Sequence, residues 1–167
     1  MRTEPPDLTA HLGKTIDKFC TRSIVTNKDA SHCAHFVSHM MEYESFPHTC
    51  RNQSSADKVI PGLGAAIRVN ELFNGAREVG HWSERPLGLV SCLIFVTISS
   101  NMRECGNVLA MDNNRLKHVG IYQNGVVWHY GLSRVEKDQE KPFITKFTHR
   151  YIVAGNTVKF FYARFLK

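Results

Sequence analysis

The sequence predicts an α+β fold in which N-terminal helices pack on a C-terminal antiparallel sheet. Apolar residues recur at helical spacing in the first half of the chain, whereas runs rich in Val, Ile, Leu and Phe dominate from residue 89 onward. An Asn-Gly pair between two of these runs marks a tight hairpin. With 167 residues and 43% hydrophobic content, we expect one domain over residues 1–167, preceded by a flexible leader at residues 1–7.

Three helices are predicted before the strands begin. Apolar residues at helical spacing predict an amphipathic helix over residues 8–24. A second helix follows Ser31, which can cap its N-terminus, and ends before Pro47. A third is predicted over residues 63–73, ended by an Asn-Gly pair.

The second half of the chain predicts a series of strands. Residues 89–98 resemble a buried strand, and residues 107–111 a second one. Residues 118–130 form the hairpin, and two further strands are expected over residues 143–153 and 157–165.

The hairpin yields a register by counting. If Asn124-Gly125 is a two-residue type I′ turn, Gly120 pairs with His129, and His118 is a diagonal neighbour of His129 on the same face. Gly120 has no side chain and leaves room between the two imidazoles. One face carries the core residues Val119, Ile121, Val126, Trp128 and Tyr130. The opposite face carries His118, Gly120, Tyr122, Val127 and His129.

Cys33 lies at the start of the second predicted helix, where the helix N-terminus lowers the pKa of a thiol. Free backbone N–H groups of that turn can form part of an oxyanion hole. We therefore interpret Cys33 as a nucleophile, His118 as its general base and His129 as the group that orients His118. Two plainer interpretations stay open: a small buried cysteine, and two histidines on a solvated strand face.

Two short motifs resemble a known family. Cys33-Ala34-His35-Phe36-Val37 resembles the cysteine helix of the NlpC-type and CHAP papain-like peptidoglycan hydrolases. His118-Val119-Gly120-Ile121-Tyr122, followed by Asn124-Gly125 and His129, is similar to their histidine hairpin. The strand at residues 89–97 is similar to the strand that precedes this hairpin.

The resemblance implies a papain-like thiol hydrolase core. The implied activity is a cysteine amidase or peptidase that hydrolyses amide bonds in the peptide stems or crosslinks of bacterial peptidoglycan, without cofactor or metal. His35, Tyr122 and Trp82 are candidates for the substrate cleft. The small size and basic charge resemble a type VI secretion amidase effector or a phage lysin. A monomer is then expected, and for an effector a cognate immunity or inhibitor protein.

The net charge of +6 suits an anionic partner such as the cell wall. The basic residues are spread out, which argues against nucleic acid. The longest apolar run, residues 87–98, is too short to span a bilayer, so no membrane insertion is expected. The first residues lack a signal-peptide pattern. We therefore expect synthesis in the cytoplasm and export by a signal-independent route to the periplasm or cell wall.

Two other functions remain open. The first is a papain-fold toxin-like protease, deamidase or acyltransferase that acts on a protein or lipid. The second is a non-enzymatic basic or zinc-binding module, because His35 and His39 share a helix face and could bind zinc with Cys33 or Cys50. None of the cysteines forms a CxxC pair, and we expect most to be reduced and buried, although four could pair in an oxidising compartment. The five cysteines are Cys20, Cys33, Cys50, Cys92 and Cys105.

Overall fold

The computed structural model describes residues 1–27, 29–60, 62–106 and 108–166, and within these ranges it has the predicted α+β architecture. The α-helices are α1 (Cys33–Met41), α2 (Ser55–Val59), α3 (Val69–Gly75) and α4 (Glu140–Arg150). The strands are β1 (Val79–His81), β2 (Ser91–Ile98), β3 (Met102–Cys105), β4 (Val108–Met111), β5 (Lys117–Gln123), β6 (Val126–Tyr130), β7 (Val135–Gln139) and β8 (Val158–Ala163). None of these helices is long and apolar enough to cross a membrane.

Six of the strands form one antiparallel sheet in the order β1-β8-β2-β5-β6-β7. Helices α1 and α3 pack on one face of its centre, and α4 packs on the other. β3 and β4 form a separate two-stranded ribbon beside α3. Both faces of β2, β5 and β6 are therefore buried, which explains why β2 is an almost uninterrupted apolar run.

The hairpin register predicted from the turn is confirmed. Gly120 pairs with His129, and Ile121 pairs with Trp128. Asn124 and Gly125 have φ angles of 51° and 85°, the left-handed values that a type I′ turn requires. The face with Ile121 and Trp128 packs in the core beneath α1, as expected.

Gly120 is the position where this hairpin has no space for a side chain. An added Cβ would lie 2.7 Å from Val127 Cγ1, 3.0 Å from the Trp128 carbonyl oxygen and 3.2 Å from His129 Cβ. We therefore expect Gly120→Ala to lower the free energy of unfolding by about 1–3 kcal/mol, as overpacking does. Urea unfolding measures this loss. Gly88→Ala is the control, because nothing lies within 4 Å of its Cβ; equal stability of the two variants would contradict the packing described.

The prediction of a strand over residues 143–153 is wrong, because most of this segment belongs to α4. Phe143, Phe147 and Tyr151 recur every four residues, which is a helical period, and they form one apolar face. That face covers the side of the sheet that carries His118 and His129. The two imidazoles therefore lie beneath a helix.

The predicted helix over residues 8–24 is also wrong. The segment instead contains short 3₁₀ turns at Thr9–His11, Ile16–Lys18 and Ser23–Thr26. Gly13 adopts a φ of 77°, and its N–H donates to the Val135 carbonyl, while the Val135 N–H donates to the Lys14 carbonyl. Hydrogen bonding to the start of β7 thus replaces helical hydrogen bonding at this point.

Several predicted boundaries shift. The third helix begins at Val69 rather than residue 63, and the expected loop at residues 48–62 contains α2. The strands predicted at residues 89–98 and 157–165 are confirmed as β2 and β8 with shorter bounds. The strand predicted at residues 107–111 is β4 from Val108 onward; Asn107 lies outside the described residues.

Candidate active site

His118, His129 and Asp138 form a hydrogen-bonded chain across β5, β6 and β7. His118 Nε2 lies 3.0 Å from His129 Nδ1, and His129 Nε2 lies 2.9 Å from Asp138 Oδ2. The diagonal relation of the two histidines across the hairpin accounts for the first contact. The pairing of Val127 with Asp138 places the carboxylate on the same face of the sheet.

The chain of contacts defines the protonation of each imidazole. The hydrogen bonds from Lys146 and His129 outweigh the effect of burial and hold the pKa of Asp138 below its usual value, so Asp138 is an acceptor. His129 therefore donates from Nε2 and accepts at Nδ1, which makes His118 the donor from its own Nε2. Nδ1 of a neutral His118 is then unprotonated and can act as a base.

Burial keeps both imidazoles neutral. His118 is 5% exposed and stacks on Phe147, with ring centroids 4.4 Å apart. Desolvation, and next the nearby His129, hold the pKa of His118 well below its ordinary value. Desolvation also lowers the pKa of His129, although the hydrogen bond to Asp138 opposes this effect. A neutral imidazole is the form that can accept a proton.

Asp138 is held by a second partner, Lys146 of α4. The Lys146 ammonium bonds Asp138 and also lies 3.0 Å from Glu136 Oε2. Ligand atoms of His129, Glu136 and Asp138 lie within 4.8 Å of one another, as in a metal site. The Lys146 ammonium, however, already bridges the two carboxylates. These residues therefore form an ion-pair network that holds Asp138, the residue that orients His129, in place.

Cys33 begins α1 and packs on the face of β5 that carries Val119 and Ile121, whereas the His118 side chain lies on the opposite face beneath α4. Its Sγ lies 3.3 Å from Ser31 Oγ, and the backbone N–H groups of Val119 and Ala34 are near enough to favour the thiolate. Val119 directly follows His118 in β5, so the thiol lies next to the backbone of the expected base. The thiol is 1% exposed, and desolvation raises its pKa despite the bond from Ser31. Among the described residues, Cys33 makes no hydrogen bond to His118.

The expected N-terminal cap of α1 differs from the prediction. His32, rather than Ser31, is the N-cap residue, and the Ser31 hydroxyl contacts the Cys33 sulfur instead of a backbone N–H. The helical ladder begins with the Phe36 N–H, which donates to the His32 carbonyl at 2.9 Å. The N–H groups of Cys33 and Ala34 precede this ladder and point out of the first turn.

A basic cavity opens beside this region. Its volume is about 240 Å³, and its walls include Ser31, His118 and Tyr151 together with Lys117 and Arg150. A neighbouring cavity of about 330 Å³ shares Ser31 and Lys117 with the first. Arg115 lines both cavities, and Arg68 lines the second. The space next to His118 therefore favours a ligand with negative charge.

The three residues predicted for the cleft lie elsewhere. Trp82 and Tyr122 pack together, with ring centroids 5.1 Å apart, at the end of β5 away from His118. The Arg85 guanidinium stacks over both rings, and Trp82 Nε1 donates to Glu140. His35 is fully buried on the far side of α1, against His32 and His39.

Asp138 and Lys146 are the members of the site that the sequence interpretation missed. Residues 135–139 follow the hairpin after a short turn, and a third strand of a meander pairs naturally with β6. Lys146 was hidden by the prediction of a strand for its segment. Lys146 and Phe147 lie three and four residues after Phe143, which is the spacing of one helix face. This spacing indicated a helix that presents all three side chains to the sheet.

Comparison of the chain with protein-family models, with curated proteins and with solved structures gives no match.

Proposed function

We propose that this protein is a papain-like cysteine amidase or peptidase that hydrolyses amide bonds in the peptide stems or crosslinks of bacterial peptidoglycan. Cys33 is the nucleophile, His118 the general base and His129 the orienting group. As an effector or lysin it acts in the periplasm or cell wall, and an effector is held in check by a cognate inhibitor. The observation that carries the proposal is the series of hydrogen bonds from Asp138 through His129 to His118, which lines a cavity together with Ser31, two residues before Cys33.

The buried position of this chain supports a catalytic role. Polar groups removed from water are stabilised only when they are hydrogen-bonded, and a structural core needs no line of imidazoles ending in a carboxylate. The hydrogen bonds run in one direction, because Asp138 fixes the tautomer of His129 and His129 fixes the tautomer of His118. The free end of this series is His118 Nδ1, and His118 lines a cavity together with Ser31, two residues before Cys33.

This mechanism requires the His118 imidazole and the Cys33 thiol, which lie on opposite faces of β5, to meet at the cavity that Ser31 and His118 both line. There the thiol would give its proton to His118 Nδ1 as the sulfur attacks the amide carbonyl carbon. The tetrahedral intermediate collapses to a thioester, and the leaving amine takes the proton from His118. Water then attacks the thioester while His118 accepts its proton. The carboxylic acid leaves, and the proton returns to the Cys33 sulfur.

The first turn of α1 provides stabilisation for the intermediate. The N–H groups of Cys33 and Ala34 precede the helical ladder and lie at the positive end of the helix. An oxyanion next to the Cys33 sulfur can accept hydrogen bonds from this turn.

The charge of the neighbouring cavities supports the choice of substrate. Arg115, Lys117 and Arg150 surround the space beside His118, and Arg68 extends this charge into the adjoining cavity. Peptidoglycan stem peptides carry free carboxylates. Bidentate pairing with arginine and ion pairing with lysine would hold such a peptide with its amide near Cys33.

His129→Asn is expected to retain more activity than His129→Ala. Asn Oδ1 and His Nδ1 are both bonded to Cγ, so the amide oxygen can accept the bond from His118 Nε2 that His129 accepts now. Ala leaves that donor unpaired. A difference of at least about tenfold in kcat, corresponding to one hydrogen bond, is expected. Steady-state rates of both variants measure it, and equal rates would remove His129 from the triad.

The direct test is digestion of purified peptidoglycan by the full-length protein, with the Cys33→Ala variant as the blank. Release of soluble fragments that carry new amino groups, without new reducing ends, is expected for an amidase or peptidase. New reducing ends would contradict the proposal. Inactivity on peptidoglycan, together with cleavage or deamidation of a protein or acyl transfer to or from a lipid, would favour the toxin-like alternative.

A further inference from the structure

Four metal-binding side chains meet on the side of α1 that faces away from the sheet. Cys20, His35, His39 and Cys50 each direct one ligand atom to a common point, and these atoms lie within 4.8 Å of one another. Cys20, His35 and Cys50 are buried, and His39 is partly buried. The surrounding residues form a small apolar cluster that is separate from the main core.

The geometry of the cluster fits a tetrahedral site. His35 and His39 are four residues apart on α1, so their rings share one face, and their Nε2 atoms lie 3.0 Å apart. In a tetrahedral site with Zn–N bonds of about 2.0–2.1 Å and Zn–S bonds of about 2.3 Å, neighbouring ligand atoms lie about 3.3–3.8 Å apart. To reach these values on zinc binding, the two imidazoles would separate slightly and the other ligand atoms, all within 4.8 Å of one another, would adjust.

Three of the four ligands also have neighbours outside the cluster. His35 Nδ1 lies 3.4 Å from His32 Nδ1, which leaves its Nε2 directed at the common point. The Arg22 backbone N–H donates to Cys20 Sγ at 3.4 Å, and the Cys50 backbone N–H donates to the Ala65 carbonyl at 2.9 Å, which fixes the backbone at Cys50. Such outer contacts orient metal ligands and stabilise bound thiolates.

We propose that Cys20, His35, His39 and Cys50 bind a structural Zn²⁺ ion. Two thiolates and two imidazoles in tetrahedral arrangement are a donor set that zinc prefers. Cys33 is not a ligand, because its sulfur lies against Ser31 on the sheet side of α1, outside the cluster. All four positions are filled by the protein, so the ion has no place for a substrate and serves the fold.

The site joins two segments that have little regular structure to helix α1. Cys20 follows the 3₁₀ turn at Ile16–Lys18, Cys50 begins a 3₁₀ turn after α1, and the histidines belong to α1 itself. The ion therefore attaches both segments to the helix that begins with Cys33. This role does not depend on the proposed hydrolase activity, and its tests need no substrate.

The test is metal analysis of the full-length protein purified with a thiol reductant and without chelator. Native mass spectrometry and elemental analysis are expected to find one zinc ion per chain. Zinc is expected to protect Cys20 and Cys50 from iodoacetamide, and a strong chelator to expose both and lower the melting temperature. Cobalt substitution is expected to give the visible absorption of a tetrahedral thiolate site.

Variants locate the ligands. Cys20→Ser is expected to lose the ion, whereas Cys92→Ser, at a buried cysteine outside the cluster, retains it. His39→Cys preserves four zinc-binding side chains and is expected to retain the ion even if His39→Ala does not fold. A wild-type protein without zinc, a disulfide between Cys20 and Cys50, or full zinc content in Cys20→Ser would overturn the proposal.

Discussion

Cys33→Ala is expected to lower the rate of peptidoglycan cleavage by at least about 10³-fold, because the covalent route through the thioester disappears. Ser31, Val119 and the first turn of α1 remain in place, so substrate binding is expected to change far less than the rate. Release of soluble fragments per minute, measured at several substrate concentrations, separates these two effects.

Cys92→Ala is the matched control for this variant. Cys92 is a buried cysteine on β2, and its replacement removes the same sulfur atom from a packed core without touching the site. Both variants are expected to lose similar stability, and Cys92→Ala is expected to retain activity. If Cys33→Ala cleaved peptidoglycan as fast as Cys92→Ala, the thiol mechanism would be rejected.

Phe147→Ala is expected to produce the largest loss of stability among single changes near the site. Phe147 is 1% exposed, stacks on His118 and contacts Phe143 at 4.6 Å between ring centroids. Truncation of a buried Phe typically lowers the free energy of unfolding by about 3–5 kcal/mol. It would also admit water to His118 and loosen the orientation of its base nitrogen. Urea unfolding followed by circular dichroism measures the first effect.

Ile152→Ala provides the comparison for Phe147→Ala. Ile152 follows α4 and is 68% exposed, so its truncation is expected to change the free energy of unfolding by less than about 0.5 kcal/mol. Similar stabilities of the two variants would show that α4 does not cover the histidine face of the sheet as described.

The hairpin was predictable because its determinants are local. Asn124-Gly125 selects one turn type, and the side-chain period of two then assigns every residue of β5 and β6 to a face. The meeting of His118 and His129 follows from that count alone. The position of Cys33 at a helix start was predictable for the same reason, since it depends on residues next to it.

The covering of the histidines by α4 was not predicted, because the apolar residues of 143–153 were assigned to a strand. Their spacing of four is helical, yet β-favouring residues such as Ile144 and Thr145 lie between them. The helix predicted over residues 8–24 was wrong for a different reason. Its helical pattern gives way to hydrogen bonds with β7, a contact more than a hundred residues away in sequence.

The approach of Cys20 and Cys50 to the histidines of α1 was equally hidden from sequence. His35 and His39 were recognised as a pair that could bind zinc, but their partners lie on loops whose paths depend on tertiary packing. A ligand set drawn from a turn, a helix and a loop has no regular spacing that a motif could capture.

The central claim, that Cys33 carries the chemistry, is tested most directly by relating residual activity to alkylation of this one thiol. In a Cys105→Ser background, which removes the exposed thiol, the protein is treated with iodoacetamide for increasing times. Peptide mapping gives the modified fraction at Cys33, and peptidoglycan cleavage gives the remaining activity. We predict that activity falls in proportion to the fraction of Cys33 alkylated and reaches zero when that fraction is complete. Full activity in protein whose Cys33 is completely alkylated would contradict the account.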